Sequence, residues 1–136
     1  MIAALVAATI FVPCSGAALA TELFAGPEDY RQVVRQLHPG DVLTLRPGVY
    51  VEGLDVKGLV GKVDAMIVIR GGGDPGSVTF VANLDRNTIS IGDTAFVRIA
   101  NLDLAGRGAP VDAVKAEGTA HFAHDIVLEG LRISGY

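Results

Sequence analysis

From residue 41 onward, apolar and polar side chains alternate in short bursts that are closed by glycine or by a Pro-Gly pair. Val42-Leu43-Thr44-Leu45, Val49-Tyr50-Val51, Leu54-Asp55-Val56, Met66 to Arg70, Ser77 to Val81 and Thr88 to Ile91 are such bursts. A two-residue period puts every second side chain on one face, so each burst predicts a short strand with one side buried. The stretch from Phe96 to Gly106 then returns 29 residues later as Asp125 to Gly135. Val97, Ile99, Leu102, Leu104 and Gly106 map onto Ile126, Leu128, Leu131, Ile133 and Gly135, while polar Arg98 and Asp103 fall opposite Val127 and Arg132. The alternation breaks at Asn101 and at Gly130, two residue types that accept a left-handed backbone cheaply. Each copy therefore reads as strand, one-residue corner, strand. A repeat of this length built from strands predicts a coiled, solenoidal sheet.

One segment has a different period. Between Gly26 and Gly40, Tyr30, Val33, Val34 and Leu37 recur at helical spacing, with Pro27 suited to the first helical position, Glu28 and Asp29 to the positive end of the dipole, and Pro39-Gly40 as the stop. A single short amphipathic helix ahead of stacked strands serves as a lid on an otherwise open end of the core. The pattern is still running at Tyr136, which predicts three or four coils of an N-terminal fragment.

The 136 residues allow one domain, and the 17 glycines suit a fold of many corners. Met1 to Ala20 carry no charged side chain, and the apolar run Ile2 to Val12 is too short to span a bilayer. Ala18-Leu19-Ala20 supplies the small-x-small pattern of a cleavage point. Residues 1–20 are thus expected to be a secretory signal peptide and 21–136 a β-helix domain, in a secreted or periplasmic protein with no membrane span in its mature chain. The only cysteine, Cys14, falls within the signal segment, so no disulfide is expected. With 15 acidic and 11 basic residues and no basic run, nucleic acid is not an expected partner.

With the helix, Pro39-Gly40-Asp41-Val42-Leu43-Thr44-Leu45, Pro47-Gly48-Val49-Tyr50, Ile67-Val68-Ile69 and the Asn101 corner in hand, the chain resembles right-handed parallel β-helix proteins of the pectate-lyase-like superfamily. Within that group it is most similar to the N-terminal coils of polysaccharide lyases of the alginate lyase and chondroitinase B type. The resemblance implies an all-β, right-handed parallel β-helix with an N-terminal capping helix. It also implies an exported protein acting on an acidic, uronate-containing polysaccharide by β-elimination, with calcium as an implied cofactor and with catalytic coils beyond Tyr136. No catalytic residue is assigned in this segment. A non-enzymatic glycan-binding or adhesion module is the rival reading, and an epimerase or a glycoside hydrolase on the same scaffold is a third.

Four residues stand out as candidate substrate contacts. Alternation around Val114 and Ala116 turns Lys115 and Glu117 outward together, where a lysine beside a carboxylate either moves a proton or forms a plain surface ion pair. Outward Arg98 and Arg132 suit bidentate pairing with glycan carboxylates. His121, His124 and Asp125 spell His-x-x-His-Asp, which supplies too few ligands for a metal site on its own, so no metal ligand is assigned. Asp64, Asp93 and Asp103 are candidate calcium donors without the dense loop such a site needs. Gly71 to Gly76 reads as a turn, since neither a helix nor a Lys-Ser/Thr pair follows it.

Overall fold

The computed structural model describes residues 19–136. Cys14 and nearly all of the expected signal segment lie outside the described residues.

In chain order the elements are β1 (Glu22–Ala25), α1 (Tyr30–Val34), β2 (Val42–Leu45), β3 (Gly48–Tyr50), β4 (Leu54–Lys57), β5 (Ile67–Gly71), β6 (Val78–Val81), β7 (Ile89–Gly92), β8 (Ala95–Ala100), β9 (Asp103–Ala105), β10 (Val114–Glu117), β11 (His124–Glu129) and β12 (Arg132–Ser134). Every strand pairing is parallel, and the strands sort into three sheets: β1-β2-β5-β8-β11, β3-β6-β9-β12 and β4-β7-β10. Each coil thus gives one strand to each sheet in turn. This is a parallel β-helix, with three complete coils in β2 to β10 and two strands of the next.

The internal repeat is the stacking register. Val97 pairs with Ile126, Ile99 with Leu128, and Leu104 with Ile133, as the sequence alignment of the two copies predicts. Asn101 and Gly130 turn the corner at φ of 55° and 59°. A Cβ on Gly130 would lie 2.5 Å from the Asn101 Oδ1, so the asparagine amide fills the room that glycine leaves.

Inward residues make one continuous core. Leu43, Ile69 and Ile99 stack in one column, and Leu54 with Ile89 and Val56 with Ile91 stack in others, all buried. Tyr50 and Phe80 stack with ring centroids 4.7 Å apart, and Tyr30 meets both edge-on at 5.0 and 5.7 Å. The helix is shorter than its sequence signals predict. Pro27 to Asp29 form a turn instead of a first helical turn, because the Asp29 carboxylate accepts the Gly26 amide at 2.7 Å. The apolar stripe is as predicted: Tyr30, Val34 and Leu37 are buried and Val33 is half-buried. Burying a side chain of this kind contributes about 1.5–3 kcal/mol, which explains how one and a half turns of helix persist at all. The lid has a second component, β1, which extends the first sheet beside β2 through the pairing of Leu23 with Leu43. At the far end, Leu128 and Ile133 are 43% and 53% exposed, although their partners Ile99 and Leu104 are buried.

Candidate functional site

The four candidate contacts do not share a face. Arg98 points outward from the first sheet, Arg132 from the second, and Lys115 and Glu117 from the third. Two of them are engaged by carboxylates one coil away. Arg98 Nη1 bonds Glu129 Oε2 at 2.9 Å, and Arg132 bonds Asp103 through Nε at 2.8 Å and through Nη2. Lys115 and Glu117 do stand together, with Nζ and Oε2 3.5 Å apart. Elsewhere on the first sheet Arg70 is held by Glu22 at 2.9 Å and by the Thr44 hydroxyl at 3.1 Å.

The third sheet carries the surface with the most open chemistry. Its register aligns Asp55, Ser90 and Lys115 in one outward column and Lys57, Gly92 and Glu117 in the next. With no side chain at the middle position, the second column dips. The depression, about 180 Å³, is lined by Lys57, Gly92, Asp93, Glu117, Gly118 and Thr119. Lys57 makes no ion pair among the described residues, whereas Arg98, Lys115 and Arg132 each do.

Asp93 turns the corner out of this sheet at φ 49°, an uncommon conformation for a residue with a Cβ. Its Oδ1 accepts the backbone amides of Thr119, Ala120 and His121 at 2.9, 3.0 and 2.9 Å, and its Oδ2 accepts the Thr119 hydroxyl at 2.9 Å. These donors, the His121 amide foremost, hold the carboxyl down at about pKa 2. The loop they fix closes a second depression, about 260 Å³, lined by Val60, Asp93, Thr94, Ala95, His121, Phe122 and His124. Here His124 Nδ1 lies 2.7 Å from Asp125 Oδ2, and its ring meets Phe96 edge-on at 5.5 Å. An ionised carboxylate only accepts, so Nδ1 is the donor of this pair and Nε2 is the ring nitrogen left for another partner.

No metal centre arises from these groups. Among the described residues no three His, Cys, Asp or Glu side chains gather to share an ion. The candidate calcium donors do not converge: Asp93 is saturated by its loop, Asp103 is held by Arg132, and Asp64 is exposed in the turn between Lys62 and Ala65. The sequence pattern did not single out Lys57 or Phe122. Lys57 meets Gly92 and Glu117 only through the stacking register, and Phe122 sits in a loop without periodicity.

No family model matches this chain, and no curated protein does. Solved structures do. The PL6 family alginate lyase AlyGC aligns at 18% identity with a TM-score of 0.52, covering 84% of this chain and 15% of its own. A mutant of AlyGC gives a TM-score of 0.50 over the same shares. A mannuronic acid specific polysaccharide family 6 lyase from human gut microbiota aligns at 18% identity with a TM-score of 0.52, covering 83% of this chain and 25% of its own. The chain therefore spans between 15% and 25% of the length of the solved proteins it matches. What it has in common with these PL6 alginate lyases is their fold, the right-handed parallel β-helix.

Proposed function

We propose that this chain belongs to an exported polysaccharide-active protein whose substrate is an acidic, uronate-containing glycan cleaved by β-elimination. The observation that carries the reading is the likeness of most of the chain to the β-helices of two polysaccharide lyases. In such an elimination a base takes the proton next to the uronate carboxyl, the glycosidic oxygen at the neighbouring carbon leaves, and a conjugated double bond remains. On this reading the catalytic groups lie in coils beyond Tyr136, and the coils described here carry part of the glycan along the stack.

A second reading is a glycan-binding module without catalysis. It is favoured by Lys115, the candidate base on these coils, which is already paired with Glu117. The test is to incubate the full gene product with alginate, pectate and chondroitin sulfate, with and without calcium, following absorbance at about 235 nm, where the unsaturated uronate absorbs. A rise is expected with one of them. No rise, with binding to one glycan retained, selects the module. Neither cleavage nor binding overturns both.

A further inference from the structure

The two depressions meet at Asp93, and their walls come from the same three stretches of chain, 57–60, 92–95 and 117–124. Together they form one trough along the corner between the third and first sheets. Its two ends differ in chemistry. At one end Lys57 lies over Gly92, its Cγ 3.5 Å from where a Cβ would stand, so the cation borders a floor kept low by glycine. The neighbouring carboxylates are already occupied, Asp93 by four hydrogen bonds and Glu117 by Lys115. Lys57 is left with its charge to spend on a ligand.

The other end is apolar and aromatic. Phe122 is 86% exposed and Val60 58% exposed, beside the edge-on pair of Phe96 and His124. The loop that carries this phenyl ring is pinned to Asp93 by the amides of Thr119, Ala120 and His121, so the ring is presented as an apolar flat surface from a fixed stretch of backbone. Sugar rings present one apolar face to such a platform and carry hydroxyls at their rim. The Nε2 of His124, the ring nitrogen not engaged by Asp125, is the polar atom nearest such a rim, and a sugar hydroxyl can either donate to it or accept from it.

We propose that this corner is a subsite for an acidic oligosaccharide, with a uronate carboxylate paired to Lys57 and an adjoining sugar ring stacked on Phe122. The inference rests on the polysaccharide reading and adds a location to it, apart from any catalytic coil. Both side chains are exposed, so replacing them leaves the core untouched.

The experiment is a titration of the full-length protein with mannuronate and galacturonate tetrasaccharides, and with cellotetraose as the neutral control, followed by backbone amide shifts. Wild type is expected to show shifts at Gly92, Gly118, Thr119 and His121 with one of the uronates and none with cellotetraose. Lys57→Gln and Phe122→Ala should each weaken that binding about tenfold or more, the scale of one lost charge pair or one stacking contact. Arg35→Gln, on the lid, should leave it unchanged. Wild-type affinity in either Lys57→Gln or Phe122→Ala, or shifts confined to another face, overturns the subsite while the polysaccharide reading stands. Failure of wild type to bind any acidic glycan overturns both.

Discussion

Arg132 lies one coil beyond Asp103 and grips its carboxylate with two nitrogens, Nε at 2.8 Å and Nη2, across a separation of 29 residues. The carboxylate's hydrogen bonds and charge push the guanidinium pKa further above its ordinary value. The guanidinium also lies against the backbone at Gly76, in the space a Cβ would need. It is held from two sides. The side chain proposed as a substrate contact thus also serves as a clasp between coils.

Asp103→Asn should therefore change what Arg132 can bind more than how stably the chain folds, since exposed pairs contribute little to stability. Retention on immobilised polymannuronate should rise at low salt and converge with wild type at about 1 M salt, where screening acts within about 3 Å. Unaltered retention at low salt would mean that Arg132 stays withdrawn even without its partner.

Asp93 gives a pH dependence whose sign follows from its donors. The carboxyl is lowered from 3.8 to about 2 by the amides and hydroxyl of the 119–121 loop. Its contribution is therefore complete above about pH 4 and fades as the pH falls toward 2. Hydrogen exchange at Thr119, Ala120 and His121 should lose protection over that interval in wild type. Asp93→Asn, which tolerates the positive φ, should flatten the dependence, and Asp93→Ala should expose all three amides at every pH. Protection that survives in Asp93→Ala would show that the loop holds itself.

Alternation and repeat made the solenoid legible because the inward columns are built from like residues: Val97 over Ile126, Ile99 over Leu128. The corners were legible because Asn101 and Gly130 interrupt the alternation. The first strand was not, since Glu22-Leu23-Phe24-Ala25 has no period and gains its order from pairing with β2. The helix boundaries shifted because Asp29 bonds back to Gly26, a choice that depends on local geometry. The trough was invisible for a different reason. Coils of unequal length bring Lys57, Gly92 and Glu117 together, so no fixed sequence spacing marks them.

The aromatic core makes the lid sensitive to alkali. Tyr30 Oη donates to the Gly53 carbonyl and Tyr50 Oη to the Arg46 carbonyl, each at 2.6 Å. Burial pushes both phenols from 10.0 up to about 12. The unfolded chain ionises first, so stability is intact below about pH 10 and falls between 10 and 12. Tyr30→Phe should shrink that fall in urea titrations, while costing about 1–3 kcal/mol at neutral pH by leaving the Gly53 carbonyl unpaired. An unchanged alkaline slope would place the ionising group elsewhere.

Val34 tests the lid directly, being 2% exposed under the helix. Val34→Asp should destabilise the N-terminal coils by several kcal/mol, the scale of a buried unpaired charge. Thermal unfolding indistinguishable from wild type would mean that the helix does not cover the core.

Two glycines separate what a tight coil demands in space from what it demands in conformation. At Gly58 the backbone has φ +69° and nothing lies within 4 Å of where a Cβ would stand, so Gly58→Ala should cost only the left-handed strain, about 1–2 kcal/mol. Gly71 needs no positive φ, but a Cβ there would run into the carbonyl oxygen of Asn101 and stand 3.2 Å from the Val78 Cβ. The obstacle is backbone, one coil along, and that backbone is itself fixed at the Asn101 corner. Gly71→Ala should therefore push two coils apart where the first sheet hands over to the second, lowering the urea midpoint much further than Gly58→Ala. Equal midpoints for the two variants would mean that neighbouring coils yield to a methyl group, and that their spacing is softer than the close approach at Gly71 implies.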